Sequence, residues 1–157
     1  MAVTPQKSRG TKFFIGTNST ALASESSWTQ IQGAYASGND IGQEWGNTDG
    51  TTFEDTVKQT LKTVADAGSF DLSMRLDLTD AGQTSLKAAC ADKNNKPYNF
   101  KIEMDDDKVS VGDNPTKFTF QVRVMSFKYG PGSTSSLYEA KAKIDLATLV
   151  TYTAAAA

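Results

Sequence analysis

Between Phe70 and Leu78 the chain alternates without a break. Phe70, Leu72, Met74, Leu76 and Leu78 are apolar, while Asp71, Ser73, Arg75 and Asp77 between them are polar. Successive strand side chains point to opposite sheet faces, so this run predicts a strand with one buried face and one wet face. That asymmetry favours an antiparallel sheet over a parallel sheet buried on both sides. The period then changes. Asp80 stands as a helix N-cap, with Gln83 where a capping box places its amide. Leu86, Ala89 and Cys90 follow on one narrow helical face, and Asn94 and Asn95 suit the helix stop and turn. Tyr98, Phe100, Ile102 and Met104 then alternate with Asn99, Lys101 and Glu103 to give a second strand.

The same period marks other strands. Lys12–Ile15 is short, and Trp28–Ala36 alternates weakly. Thr116–Tyr129 is the longest: Phe118, Phe120, Val122 and Val124 face one side, and Lys117, Thr119, Gln121 and Arg123 the other. The apolar phase then shifts to Met125, Phe127 and Tyr129, which predicts a bulge. Tyr138, Ala140, Ala142, Ile144 and Leu146 form a last alternating strand. Thr51–Val64 fits a helical period at Phe53, Val57, Leu61 and Val64 and an extended segment equally, and is read as loop passing into strand. The sum is six or seven strands and one helix. It predicts a mainly-β fold, an antiparallel β-sandwich or half-barrel with one short α-helix, a long loop and extended terminal arms. The 157 residues form a single domain, 1–157, with arms at 1–11 and 147–157 and the long loop at 37–61.

Little in the chain is chemical. It has no histidine and one cysteine, so a Ser or Cys nucleophile lacks its usual base. No Walker loop, GxGxxG or GxSxG occurs. The expectation is a non-enzyme without metal or cofactor, with Asp105–Asp107 a solvated acidic turn and Cys90 a packing residue. A net charge of −2 argues against a dedicated nucleic-acid binder. The basic cluster Lys7, Arg9 and Lys12 reads as a solvated terminus. No apolar run approaches the ~20 residues of a membrane span, and the first residues lack a signal-peptide core, so synthesis in the cytoplasm without a membrane partner is expected.

Ser37–Gly50, SGNDIGQEWGNTDG, is dense in turn residues and long for a connector. Its Ile41 and Trp45 either fold back on the core or anchor a partner, as loop-borne aromatic residues do at interfaces.

The order of these segments resembles the major tail tube protein of long-tailed, non-contractile bacteriophages. It runs from KFFIG through WTQI, the long Gly/Asp loop, LDLTDAGQTSL, the helix and NKPYNFKIEM to FTFQVRVMSFKYG. Phe70–Leu86 and Tyr98–Lys128 carry most of the likeness. Some members carry an appended immunoglobulin-like C-terminal domain, which is not expected for this chain. The resemblance implies a β-sandwich subunit, six per ring, with rings stacked into a tube, and kinship with contractile-tail and type VI secretion tubes. It implies a virion protein whose partners are itself, a tape-measure protein, tail initiator and terminator proteins, and passing DNA. A weakly acidic lumen would keep the duplex from sticking.

On that reading the loop crosses to the next ring, with Ile41, Trp45 and Phe53 as contact candidates. The lumen candidates are Asp71, Ser73, Arg75 and Asp77 from one strand and Lys117, Thr119, Gln121 and Arg123 from another; the same alternation is expected if these faces lie outside. The competing reading is a small β-sandwich module recognising carbohydrate or a cell surface, with Trp28, Tyr35 and Trp45 as its platform. An enzyme using two facing carboxylates of shifted pKa is a third.

Overall fold

The computed structural model describes residues 9–106 and 114–155. The chain order is β1 (Lys12–Ile15), β2 (Thr29–Ile31), β3 (Ala34–Gly38), β4 (Glu44–Asp49), β5 (Thr60–Asp66), β6 (Ser69–Arg75), α1 (Ala81–Ala91), β7 (Tyr98–Glu103), β8 (Lys117–Gly130), β9 (Glu139–Leu146) and β10 (Thr151–Thr153), with one 3-10 turn at Leu22–Ser24. All pairings are antiparallel. The main sheet runs β2-β1-β7-β8-β9-β6-β3, with β10 also on β8, and β4-β5 form a separate ribbon.

The main sheet is strongly curled. Two intervening strands would hold β7 and β6 roughly 14 Å apart in a flat sheet. Yet the rings of Phe100 on β7 and Phe70 on β6 lie 5.7 Å apart, and both meet Phe120 of β8, at 5.5 and 6.1 Å. The sheet therefore wraps into a half-barrel around this aromatic trio, and Leu86 and Ala89 of α1 complete the same core. The predicted fold class stands.

The long strand β8 makes the curl possible. Its first half pairs with β7 on one edge and β10 on the other, while its second half pairs with β9. The register slips between Val124 and Ser126, at the predicted phase shift. The extra residue re-aims the strand, so that Phe127 and Tyr129 come opposite the buried Ala142 and Ala140.

Several boundaries differ from the sequence reading. Trp28–Ala36 is two strands, because Gly33 at φ +77 breaks the run. A Cβ there would lie 2.8 Å from the Arg75 carbonyl. The segment read as the Ser37–Gly50 loop contains β4, and the C-terminal arm contains β10, each held by backbone pairing that side-chain pattern does not reveal. β6 ends at Arg75, and Leu78 is 79% exposed. Asp77 turns out of the strand and accepts from Thr79, backbone and hydroxyl. Asp80 does cap α1, taking the Gln83 amide at 2.8 Å. Gln83, however, makes no capping box. Its side chain accepts from the Asp77 amide and donates to the Arg75 and Gln32 carbonyls, tying the ends of β6 and β2 to the helix. Cys90 is half-buried against the core. Residues 1–8 of the N-terminal arm, Asp107 of the acidic turn and residues 108–113 fall outside the described residues.

Gly82 shows how tightly α1 sits. A Cβ there would be 2.2 Å from the Gln30 carbonyl oxygen and 2.5 Å from the Ile31 Cα. Backbone cannot step aside as a side chain can. Gly82→Ala therefore destabilises the domain by about 1–3 kcal/mol, outweighing the roughly 1 kcal/mol that Ala gains as a helix former. Urea unfolding checks this, and an unchanged or higher midpoint would show that the helix has room to move.

Candidate functional site

Two surfaces stand out, the β4–β5 ribbon and the polar face of the curled sheet. The ribbon spans Glu44–Asp66 and packs extensively only on itself. Every β4 residue is exposed, and of β5 only Ala65 is half-buried. Gly42 N–H to the Ala67 carbonyl, at 3.5 Å, closes its root. At its tip Asp49 accepts from Thr51, and Asp55 from Thr52, and these hydrogen bonds hold both carboxyl groups below the usual range. The tip thus stays anionic. Apolar side chains stand out in water along the ribbon: Phe53 is wholly exposed, and Val57, Leu61 and Val64 are more than half exposed. A two-stranded ribbon without a third layer is marginal in water by itself, and a run of exposed apolar side chains marks an interaction surface. Of the three loop candidates, Trp45 and Phe53 lie on this ribbon, with Lys62 over the Trp45 ring at 5.4 Å. Ile41 lies at its root, packed against the core.

The polar face runs across β6, β9 and the second half of β8. Arg75 and Glu139 form an ion pair of 2.5 Å. Asp71 stands opposite Lys143, and Asp145 opposite Arg123. Lys128 and Lys141 stand opposite each other, a like-charge pairing that weakens a sheet. Tyr35 of β3 joins this face under the Arg75 guanidinium, 4.5 Å from it. Arg75, Arg123, Lys128, Lys141 and Lys143 thus outnumber Asp71, Asp145 and Glu139, and this face carries a positive excess.

The eight residues named from the strand pattern divide among three places. Asp71, Ser73, Arg75 and Arg123 share the open face. Lys117, Thr119 and Gln121 belong to the first half of β8, half-buried beside β7 and β10. Asp77 is in the turn before α1. Lys128, Lys141 and Lys143 do not stand out in the sequence, because only register across strands assembles them.

Beside Gln121 the face is covered by the segment Thr17–Ser27. Glu25 pins it, accepting from the Thr17 amide and hydroxyl at 2.8 and 2.7 Å, the Ser27 amide at 2.9 Å and the side-chain amide of fully buried Asn99 at 2.8 Å. Burial alone would raise its pKa; the hydrogen bonds from Asn99, Thr17 and Ser27 outweigh burial and hold it at about 2, against 4.5 in the free side chain. A depressed folded-state pKa gives stability that is full above pH 4.5 and lost as the pH falls toward 2. Glu25→Gln removes that acid-side loss. Its stability should fall less than the parent's between pH 4.5 and 2, as read by thermal melts across that window. Parallel curves would place the acid sensitivity elsewhere.

The other resolved carboxylate shifts, at Asp77 and Asp92, are also downward and come from local hydrogen bonds. Asp106 accepts from the Thr116 amide at 2.8 Å and from its hydroxyl. Among the described residues no three His, Cys, Asp or Glu side chains group as metal ligands, and no helix is long and apolar enough to cross a membrane. Trp28 directly precedes β2, Tyr35 is on β3 and Trp45 on β4. Trp28 donates to the Glu25 carbonyl and lies under Lys101, whereas Trp45 is on the ribbon under Lys62.

No family model matches the sequence, and no curated protein matches it. Solved structures do match the fold across nearly the whole chain. A chain of the SPP1 tail tube superposes with a TM-score of 0.67 at 14% identity, covering 96% of this chain and 81% of that one. A chain from the tail of an empty gene transfer agent particle, refined with C6 symmetry, gives 0.66 at 15% identity, covering 96% and 100%. A chain from the six-fold symmetrised baseplate of the anti-feeding prophage gives 0.68 at 11% identity, covering 98% of each. The fold of this chain is thus one that tail tubes of phage-like particles are built from.

Proposed function

We propose that this protein is the structural subunit of a tail tube in a phage-like particle. Copies associate side by side into closed rings and the rings stack. The β4–β5 ribbon carries this reading: a projecting arm with unburied apolar side chains has its cover in another copy, and a heterologous contact of this kind closes a ring or propagates a stack. The fold shared with the SPP1 tail tube and with the C6-symmetric gene transfer agent tail supports it, and favours six copies per ring. On this reading the polar sheet face lines the bore. The bore holds a tape-measure protein during assembly and passes DNA afterwards, and initiator and terminator proteins cap the ends. The protein is then a virion component made in the host cytoplasm and has no catalytic role.

Electron microscopy of the concentrated protein, with light scattering across a concentration series with and without tail-initiator seeds, tests the proposal. Rings or tubes of uniform width are expected. A chain that stays monomeric in every condition would overturn it.

A further inference from the structure

The half-barrel does not close. Between β1 and β3 it leaves an open groove of about 720 Å³. Phe13, Phe70 and Ile102 line it from the core side, Ala34 from β3 and Ile41 from the root of the ribbon, and Arg9 stands on its rim. The volume lies in the range of ligand pockets, and the lining is the margin of the hydrophobic core itself. We propose that this groove receives the ribbon tip of a second copy, with Phe53 as the inserted side chain. This rests on the tube reading and names the seat of its arm.

Three observations fit one occupant. The tip presents a wholly exposed phenylalanine, with Val57 close behind it. Glu54 and Asp55 follow Phe53 directly, while Arg9 is the one charged residue among the described residues that line the groove. Asp105 lies against Gly10 beside the groove and tempers the charge of Arg9, so Arg9 orients the arm and apolar burial holds it. The third is reach. Six residues of β4 span ~20 Å, and the groove lies at the ribbon's own root. A tip cannot fold back into the groove beside its base. Each copy therefore offers one tip and one free groove, the arrangement that propagates from copy to copy.

Disulfide trapping in the assembled full-length chain tests this. In a Cys90→Ser background, Phe53→Cys and Ala34→Cys are introduced together and singly, then mildly oxidised. The double variant should give a ladder of covalent multimers. An equal mixture of the two single variants should give dimers containing one of each, and neither single variant alone should crosslink. Separately, Phe53→Ala should raise the concentration needed for elongation about tenfold to a hundredfold, the factor for burying one such side chain, with an unchanged melting temperature. Three outcomes overturn the proposal: assembly without a ladder, tip-to-tip dimers from Phe53→Cys alone, or elongation of Phe53→Ala at the parent's concentration. If the Cys90→Ser parent itself never assembles while folded, the tube reading falls, and this one with it.

Discussion

Replacing Glu44–Asp66 with a short Gly-Ser link should leave a folded monomer that no longer elongates at any concentration. The chain ends to be joined are already adjacent, since the Gly42 amide reaches the Ala67 carbonyl. None of the buried core residues lies between 44 and 66. The deletion should thus change the domain's stability by only about 0.5 kcal/mol, as for surface changes away from packed features. The shorter loop lowers closure entropy slightly in the variant's favour. Circular dichroism and thermal melting report the fold, and scattering with seeds reports elongation. Normal elongation of this variant would place the stacking contact elsewhere, and loss of the fold would show that the ribbon supports the body after all.

Phe100→Ala should be the costliest single truncation, at about 3–5 kcal/mol. Phe100 is fully buried and its ring touches both Phe70 and Phe120. It stands on β7 at the point where the two limbs of the curled sheet face each other. Its loss opens a cavity bounded by strands already paired on both edges, which cannot collapse to fill it. Phe118 on the next strand offers the control. It is only half-buried, and its ring meets Tyr152 at 5.6 Å near the sheet margin, so Phe118→Ala should cost distinctly less. Denaturant midpoints compare the two, and equal losses would remove the trio from its central place.

The elements that declared themselves in sequence are those with one buried face. Phe70, Leu72 and Met74, then Phe100, Phe120 and Val122, and last Ala140, Ala142 and Ile144 all alternate and all reach the core. The bulge at Met125 was visible for the same reason, since a slip in register appears as a change of phase. β4 had no such signal because it buries nothing; EWGNTD is a strand only through its pairing with β5. β10 is equally silent, with three exposed residues set on β8. The break at Gly33 and the role of Gln83 depend on contacts between segments some 40–50 residues apart. For the candidate surfaces, the turn-rich stretch around Trp45 pointed to the ribbon, and alternation pointed to Asp71 and Ser73. Neither gives the groove, which is a space between strands distant in sequence, nor the cross-strand partners of any charge.

The facing lysines of β8 and β9 change what such a wall would do to its contents. If the proposed ring sets this face toward its bore, Lys128 and Lys141 would place two positive charges per copy at one height along it, where low-dielectric walls focus the field. An anionic polymer would meet a shallow potential well there once per ring, rather than a uniformly repellent surface. Its transit would then resemble stepping along a periodic track. The depth of each step would be set by the ionic strength of the fill, because the Debye length near 10 Å at 0.1 M salt is comparable to the lateral reach of such a band.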